Sequence, residues 1–246
     1  MRELIKILDI NIDKLNMRQA VERVKELTFD HSSPSLVVTP NSEMLALAVE
    51  DQKLAEILNS ADLATADGIG VVIASKILGD PLEERVAGFD LISLLFKELA
   101  EEDINFYFLG GKPGIVDRAT ANLKRDFPDL NISGYHHGYL NRENQQQVIA
   151  EINEKNVDLL LVGMGVPLQE KFLANNLENL NIGTAITVGG SFDVLAGEVE
   201  RAPLWMQKAA LEWFYRLLQE PSRFGRMLSL PRFIYLVIKS KYFKLD

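Results

Sequence analysis

The chain of 246 residues contains no cysteine and only three histidines. Without cysteine, a disulfide-bonded scaffold, a zinc site built on thiolates and a cysteine nucleophile are all excluded. The histidines are too few for a histidine-rich metal site. The adjacent pair His136 and His137 is not expected to share a metal ion, because neighbouring residues of a strand point to opposite faces of the sheet. The sequence therefore indicates neither thiolate chemistry nor a histidine-rich metal site.

The chain also lacks a long apolar segment. A membrane-spanning helix needs ~20 consecutive apolar residues, whereas the longest uninterrupted apolar run, Leu159–Val166, which Pro167 ends, has eight. The first thirteen residues, MRELIKILDINID, carry acidic side chains at positions 3 and 9 and do not predict a secretory signal. We therefore expect a cytoplasmic protein without a spanning helix.

Positive charge is scarce over most of the chain and is concentrated at its end. Residues 1–200 hold 17 basic and 32 acidic residues, a net charge of −15, whereas residues 201–246 hold nine basic and three acidic ones, a net charge of +6. The same last 46 residues contain nine of the twenty aromatic residues, including both tryptophans. A basic, aromatic segment is typical of contact with a nucleic acid or an anionic lipid surface, and the composition leaves both partners open.

Apolar runs that suit strands alternate with helical patterns through the body of the chain, which predicts an α/β layered fold with a mostly parallel sheet. The candidate strands are Leu36–Thr39, Leu63–Ala66, Ile104–Leu109, Ile132–Tyr135, Asp158–Gly163 and Thr184–Val188. The candidate helices cover residues 42–59, 69–78, 89–101, 114–126, 142–155 and 169–179.

A boundary near Arg201–Pro203 divides the chain into an α/β domain, residues 1–200, and a C-terminal appendage, residues 201–246. In the appendage, Leu204–Leu218 has eleven apolar residues in fifteen, and its charged positions recur every four residues, on one stripe of a helix. Such a helix must be covered by the body, by lipid or by a partner chain, so the sequence also allows a homo-oligomer. It can also be merely the last helix of the core.

Polar and glycine-rich segments follow the predicted strands, where ligands of parallel α/β sheets bind. They comprise residues 39–43, 66–70, 110–114, 163–170 and 189–193. Glycine loops that lead into helices favour phosphate, because unpaired backbone N–H groups point outward. None of them has the Walker A sequence or the complete GxGxxG fingerprint of dinucleotide-binding proteins, which disfavours a dehydrogenase.

Asp67 is the candidate acid–base residue, because it follows a predicted strand and precedes Gly68 at the rim of the sheet. The alternative is a structural role as the N-cap of the next helix, which aspartate fills well. No Asp-x-Asp pair occurs in the sequence. Because enzymes that hold a nucleotide-sugar diphosphate through a divalent ion commonly use such a pair, we expect no metal and no cofactor.

Five segments together resemble the WecG/TagA/CpsF family of glycosyltransferases. They read TPNSEML, ATADGIGVV, ERVAGFDL, LLLVGMGVPLQEKF and VGGSFDVLAGEVERAPLWMQKAALEWFYRLLQEPSR. The resemblance runs in order from Thr39 to Arg226, about three quarters of the chain. It implies a Rossmann-like α/β domain with a helical, membrane-associating C-terminal appendage, at the inner face of the bacterial cell membrane.

The resemblance also implies a reaction. Family members transfer a sugar, typically N-acetylmannosamine or its uronic acid, from a UDP donor to polyprenyl-diphosphate-linked N-acetylglucosamine. For this chain it implies an inverting, metal-independent transfer of N-acetylmannosamine in the synthesis of the teichoic acid linkage unit. The uronic acid or another hexose in a surface polysaccharide is the alternative.

Site residues are carried over from the same resemblance. Asp67 matches the family's proposed base, and five other positions match its polar pocket. Of these, Thr39, Asn41 and Gln169 are assigned to orienting sugars, and Asp193 with Gly189 and Gly190 to the nucleotide. Arg85 is assigned to the diphosphate, with a surface pair to Glu83 or Glu84 as the alternative.

Three arginines of the appendage, Arg216, Arg223 and Arg226, match arginines of the family's appendage. With no metal to neutralise UDP, they are expected to fold over the site and bind its diphosphate. The alternative is that they contact lipid phosphates or pair with Glu212 and Glu220. A nucleic-acid-binding protein is the runner-up from another class, but a body with a net charge of −15 would repel a polyanion.

Overall fold

The computed structural model describes the chain except for residues 1, 31, 209–210, 220–228 and 244–246. Within the helices, the side chains of residues 204, 208, 213 and 216 also lie outside the description.

Within these bounds, a short hairpin precedes an alternation of strands and helices. The strands are β1 (Leu4–Ile7), β2 (Ile10–Asp13), β3 (Ser35–Val38), β4 (Leu63–Ala64), β5 (Phe106–Gly110), β6 (Ile132–His136), β7 (Leu159–Gly163) and β8 (Thr184–Thr187). The helices of the body are α1 (Met17–Phe29), α2 (Ser42–Ala48), α3 (Gln52–Ser60), α4 (Ile69–Leu78), α5 (Gly88–Leu99), α6 (Ile115–Asp126), α7 (Arg142–Glu154), α8 (Leu168–Asn176) and α9 (Ser191–Leu195). Those of the appendage are α10 (Leu204–Lys208), α11 (Glu212–Gln219) and α12 (Ser229–Tyr242).

Six strands form one parallel sheet in the order β4-β3-β8-β7-β5-β6. The order brings β3 and β8, which are far apart in sequence, into direct pairing, with Leu36 opposite Ala185. Because all six strands run in the same direction, their carboxyl ends meet at one edge. The predicted mostly parallel α/β fold is confirmed.

The sheet lies between two apolar cores, because alternate side chains of its strands point to opposite faces. On β7, Leu160 and Val162 join the core beneath α2, α3, α4, α7 and α8, whereas Leu159 and Leu161 join the core beneath α1, α5, α6 and α9. Strands β3, β4, β5, β7 and β8 are buried throughout and read as mostly apolar runs, which is why the sequence revealed them, whereas the edge strand β6 is only partly buried.

The sequence missed four elements of the body, which are β1, β2, α1 and α9. The β1–β2 hairpin is short. Its turn places Leu8 and Asp9 at positive φ, and because neither residue is a glycine, the sequence gives no turn signal there. Helix α1 begins at a capping box of Asn16 and Gln19, and α9 has only five residues. The predicted helix at 42–59 is two helices, because α2 ends before Asp51, which caps α3.

Helix α12 is built into the core of the body. It packs on α2 and α4, and its Phe233 and Val237 have no exposed surface. Both side chains belong to the same apolar core as Met44 of α2 and Val71 of α4. The division of the chain at residue 200 stays a prediction, but the core of the body includes side chains from beyond it.

The predicted single helix Leu204–Leu218 is wrong, because Leu211 lies outside both α10 and α11. The backbone N–H of Leu211 donates to the carbonyl of Met206 at 2.8 Å, and α11 begins at Glu212. Its exposed apolar side chains include Phe214 and Leu218.

Candidate active site

A cleft of about 330 Å³ lies at the carboxyl ends of four adjacent strands, β4, β3, β8 and β7. Its volume is within the range of roughly 300–1,000 Å³ that small-molecule sites occupy. Appendage residues Glu212, Leu217, Ser229 and Leu230 form part of its wall. The cleft brings together most of the residues that the sequence singled out: Thr39, Asn41, Asp67, Arg85, Gln169, Gly189 and Gly190.

Asp67 lies half-buried in the cleft between β4 and α4. Its backbone N–H donates to the carbonyl of Pro40 at 3.0 Å, which ties the loop after β4 to the loop after β3. The N-cap of α4 is Gly68, with a φ of +94° that favours glycine. The alternative of Asp67 as the N-cap is therefore wrong, and Asp67 is one of the residues that line the cleft.

Glycine at position 70 lets three helices meet beneath the cleft. A Cβ atom on Gly70 would lie 2.0 Å from the Ser42 Oγ of α2 and 2.7 Å from the Leu230 Cδ1 of α12. The GIG sequence after Asp67 therefore serves packing at this point.

Thr39 and Asn41 follow β3, and both make hydrogen bonds within the protein. The buried hydroxyl of Thr39 donates to the carbonyl of Thr187 at 3.1 Å, so its oxygen remains an acceptor. Asn41 is the N-cap of α2, and its side-chain oxygen accepts from the Met44 N–H at 3.0 Å. Its side-chain amide group can still donate to a sugar hydroxyl, because only the oxygen is used in the cap.

Gln169 joins two of the loops around the cleft. Its side chain, 1% exposed, accepts from the Gly189 N–H at 3.1 Å and donates to Glu170 Oε1 at 2.7 Å. Glu170 has no exposed surface, and burial raises the pKa of its carboxyl to about 7. Sequence reasoning missed Glu170, although it stands within the quoted segment LLLVGMGVPLQEKF.

Arg85 lies in an ion-pair cluster at the mouth of the cleft. Its guanidinium bonds Glu212 of α11 at 3.0 Å and lies 3.6 Å from Asp90. Arg201 bonds the same two carboxylates, Asp90 at 2.6 Å and Glu212 at 3.4 Å, and lies 4.7 Å from the Phe89 ring centroid. Two cations and two anions thus attach the start of α11 to α5.

The alternative of a surface pair between Arg85 and Glu83 or Glu84 is wrong. Glu83 accepts from the Asn16 side chain and Glu84 from the Met17 N–H, whereas the partners of Arg85 are Glu212 and Asp90. Arg201 also lines the cleft, and sequence reasoning did not include it in the site. Its place directly before Ala202-Pro203, within the quoted RAPLW, is the signal that was available.

Asp193 does not line the cleft. It lies in α9, half-buried, and its Oδ2 is 3.5 Å from where a Cβ atom on Gly190 would be. It is therefore next to the glycine loop that borders the cleft, and its assignment to the nucleotide stays a prediction.

Of the three appendage arginines, Arg223 and Arg226 lie outside the described residues, as does the side chain of Arg216. Their assignment to the diphosphate stays a prediction. Their alternative partner Glu212 already bonds Arg85 and Arg201.

Within the described ranges, no group of three or more histidine, cysteine, aspartate or glutamate residues is placed to hold a metal ion. His136 and His137 are close, with ring centroids 4.3 Å apart, so the expectation that they point to opposite faces is wrong. Strand β6 ends at His136, and the alternation of a strand ends with it. In the part of the chain that the structure describes, no helix is both long and apolar enough to cross a membrane.

The sequence profile of the glycosyl transferase WecG/TagA/CpsF family matches residues 5–246, nearly the whole chain. The chain belongs to this family. It is therefore a glycosyltransferase rather than a dehydrogenase or a nucleic-acid-binding protein, and the match covers the α/β body and the appendage together.

Three named relatives are similar to the chain over most of its length. Proteins named N-acetylglucosaminyldiphosphoundecaprenol N-acetyl-beta-D-mannosaminyltransferase are 36% identical in Bacillus spizizenii and 32% identical in Bacillus subtilis. The first alignment covers 89% of this chain and 84% of the relative, and the second covers 92% and 88%. A protein of that name in Staphylococcus aureus (strain MW2) is 34% identical over 96% of this chain and 93% of the relative.

Proposed function

We propose that this glycosyltransferase transfers N-acetylmannosamine from a UDP donor to N-acetylglucosaminyldiphosphoundecaprenol, in the synthesis of a cell-wall polymer such as the teichoic acid linkage unit. The observation that carries the proposal is the cleft, in which a carboxylate, buried polar side chains and an arginine meet at the ends of four strands. The names of the relatives supply the sugar and the acceptor.

Asp67 serves as the general base. Its carboxylate takes the proton of the acceptor hydroxyl while that oxygen forms a bond to the anomeric carbon of the donor. The bond from the anomeric carbon to the diphosphate breaks, and UDP leaves with the electron pair. Attack opposite the leaving group inverts the configuration at the anomeric carbon.

The departing diphosphate needs positive charge or N–H donors. Arg85 supplies one guanidinium from the body, and Arg216, Arg223 and Arg226 supply others from the appendage. Arginine suits this task because its planar fork can bond two phosphate oxygens at once. In the structure Arg85 bonds Glu212, so a bound diphosphate exchanges one anionic partner of Arg85 for another.

The acceptor carries an undecaprenyl chain, so the enzyme works at a membrane surface. Helix α12 supports peripheral contact, because one of its sides is buried on α2 and α4 while Tyr235, Ile238 and Tyr242 are exposed. Lys239 and Lys241 are exposed on the same helix. Aromatic side chains with lysines are typical of interfacial helices.

The full-length chain, incubated with UDP-N-acetylmannosamine and a short-chain lipid analogue of diphosphate-linked N-acetylglucosamine, should form a disaccharide product and UDP. Mass spectrometry of the lipid and release of UDP measure the two products. UDP-N-acetylmannosaminuronic acid and UDP-N-acetylglucosamine are the comparison donors. A faster reaction with the uronic acid would assign the enzyme to another surface polysaccharide, and no transfer from any of the three would contradict the proposal.

A further inference from the structure

Glu170 is a buried acid next to Gln169, which lines the cleft. It lies in the first turn of α8 and has no exposed surface. Its Oε1 accepts from the Gln169 side chain, whereas its Oε2 has no hydrogen-bond partner among the described residues. A carboxyl group buried with one oxygen unpaired is costly for the folded protein, which calls for a function.

The hydrogen bonds of Gln169 fix which way its amide points. The Gly189 N–H can only donate, so it selects the Gln169 oxygen, and the amide nitrogen is left to point at Glu170. Glu170 is therefore the acceptor that completes the arrangement. With no acceptor there, the buried amide could turn over, and the Gly189 N–H would lose its partner.

The charged side chains near α8 make their contacts with residues other than Glu170. Lys171 pairs with Asp51, which caps α3, at 2.5 Å. On α3, which packs against α8, Lys53 bonds Asn175 and Glu56 bonds Gln52. Strand β8, which also packs against α8, carries no titratable side chain, and the 3-10 turn Leu177–Asn179 after α8 carries only the exposed Glu178. Burial is the main cause that raises the pKa of Glu170, and the hydrogen bond from Gln169 opposes it.

We propose that Glu170 is a positioning residue, which orients the Gln169 amide and through it holds the Gly189–Gly190 loop at the edge of the cleft. The effect on catalysis rests on the proposed function, because it places the sugar nucleotide in this cleft. Gln169 has one side-chain oxygen and one amide nitrogen, so the bond of the nitrogen to Glu170 favours the orientation in which the oxygen faces the Gly189 N–H.

Three variants test the role by steady-state kinetics. Glu170→Met removes the acceptor at similar size and should lower kcat/KM for the donor by ~10², the effect of a misplacement of about 1 Å. Glu170→Gln can still accept through its own oxygen and should retain most of the activity. Leu173→Ala is the control for lost stability, because Leu173 is fully buried on the same helix but belongs to the apolar core.

A pH profile separates positioning from packing. The ionised carboxylate binds the Gln169 N–H more strongly than the neutral acid does. Activity of the wild type should therefore rise by a small factor, equal to its margin over Glu170→Gln, as the pH passes through about 7, the pKa of Glu170, and Glu170→Gln should lack this step. Wild-type kinetics in folded Glu170→Met, a loss no larger than in Leu173→Ala, or the same step in Glu170→Gln would overturn the proposal.

A measurement without substrate distinguishes this proposal from the proposed function. In ¹⁵N-labelled protein, the side-chain amide signal of Gln169, assigned by its loss in Gln169→Met, should shift with a midpoint near pH 7. The shift should be absent in Glu170→Gln. If the signal shifts but no donor is turned over, the proposed function fails and the positioning contact stands. If the signal does not respond, the contact itself is overturned.

Discussion

At the scale of single residues, the cleft combines side chains that hold the protein together with side chains that can act on a substrate. Thr39 and Asn41 each use part of their hydrogen-bonding capacity inside the protein and retain the rest for a ligand, whereas the oxygen and the nitrogen of Gln169 are both bonded, to Gly189 and to Glu170. Asp67 also lines the cleft, and Gly68 rather than Asp67 is the N-cap of the helix that follows. The acid that the sequence singled out therefore faces the cleft without a capping role.

The first prediction for a single residue tests Asp67 as the base that takes the proton of the acceptor hydroxyl. Asp67→Asn preserves size and most hydrogen bonding but removes the base, so kcat should fall by ~10² to 10⁴. The Kd for UDP and the melting temperature should change little. Turnover near that of the wild type would remove Asp67 from the role of base.

The second prediction for a single residue tests Arg85 as a ligand of the UDP diphosphate. Arg85→Gln removes a charge-assisted bond worth ~1.5–3 kcal/mol, so UDP should bind roughly ten- to 100-fold more weakly. The loss also leaves Asp90 and Glu212 with Arg201 as their shared cation, which makes the mouth of the cleft more negative. Calorimetric titration with UDP measures the effect. Arg125→Gln, at an exposed pair with Asp126, is the matched control, and equal affinities for the two variants would contradict the assignment.

At the scale of elements, α12 performs two tasks with its two sides. The side that carries Phe233 and Val237 is part of the apolar core, and Leu230 at its start reaches the cleft. The exposed side carries aromatic and basic side chains. Because the helix joins the core, a truncation at residue 200 removes core side chains as well as positive charge, and point variants test the appendage more cleanly.

Phe233 gives the element-scale prediction. Phe233→Ala should lower the free energy of unfolding by ~3–5 kcal/mol, because it leaves a cavity among α2, α4 and α12. Urea unfolding followed by circular dichroism measures the change. Tyr235→Ala, on the same helix but with 64% of its side chain exposed, should cost far less. Equal losses for the two variants would show that α12 does not share the core.

At the scale of the whole molecule, the charge is divided between an acidic body and a basic end. The net charges of −15 and +6 favour an orientation in which residues 201–246 face an anionic surface and the body faces away from it. The cleft has walls from both parts, so contact of the appendage with a membrane would bring the cleft close to a lipid-linked acceptor.

Vesicle binding tests this orientation. Each basic side chain near an anionic bilayer contributes ~1 kcal/mol, so Lys239→Gln should weaken binding to phosphatidylglycerol-containing vesicles about fivefold. Tyr235→Ser should weaken it as well. Lys97→Gln and Tyr139→Ser, which change exposed side chains of the body, are the controls. If the body variants weaken binding equally, the surface that contacts lipid is not on α12.

Metal dependence is a property of the whole site. The sequence contains no Asp-x-Asp pair, and arginines are proposed to supply the charge that a metal would otherwise bring. Activity should therefore persist in excess EDTA. A loss of turnover with the chelator that magnesium or manganese restores would contradict this prediction.

The sequence by itself determined the class of the fold and four of the five polar loops as those that border the cleft, but neither Arg201 nor the other appendage residues of its wall. Strands buried on both faces are continuous apolar runs, and polar loops that follow parallel strands must gather at one edge, so both were readable locally. The tertiary structure alone decided the pairing of β3 with β8, the bonds of Arg85 to Glu212 and Asp90, the contact of Glu170 with Gln169, and the burial of α12. Three of these connect positions far apart in the chain, and their energies come from long-range packing and charge pairing. The contact of Glu170 with Gln169 joins neighbours in the sequence. Its importance comes from the burial of both side chains, which no local sequence pattern indicates.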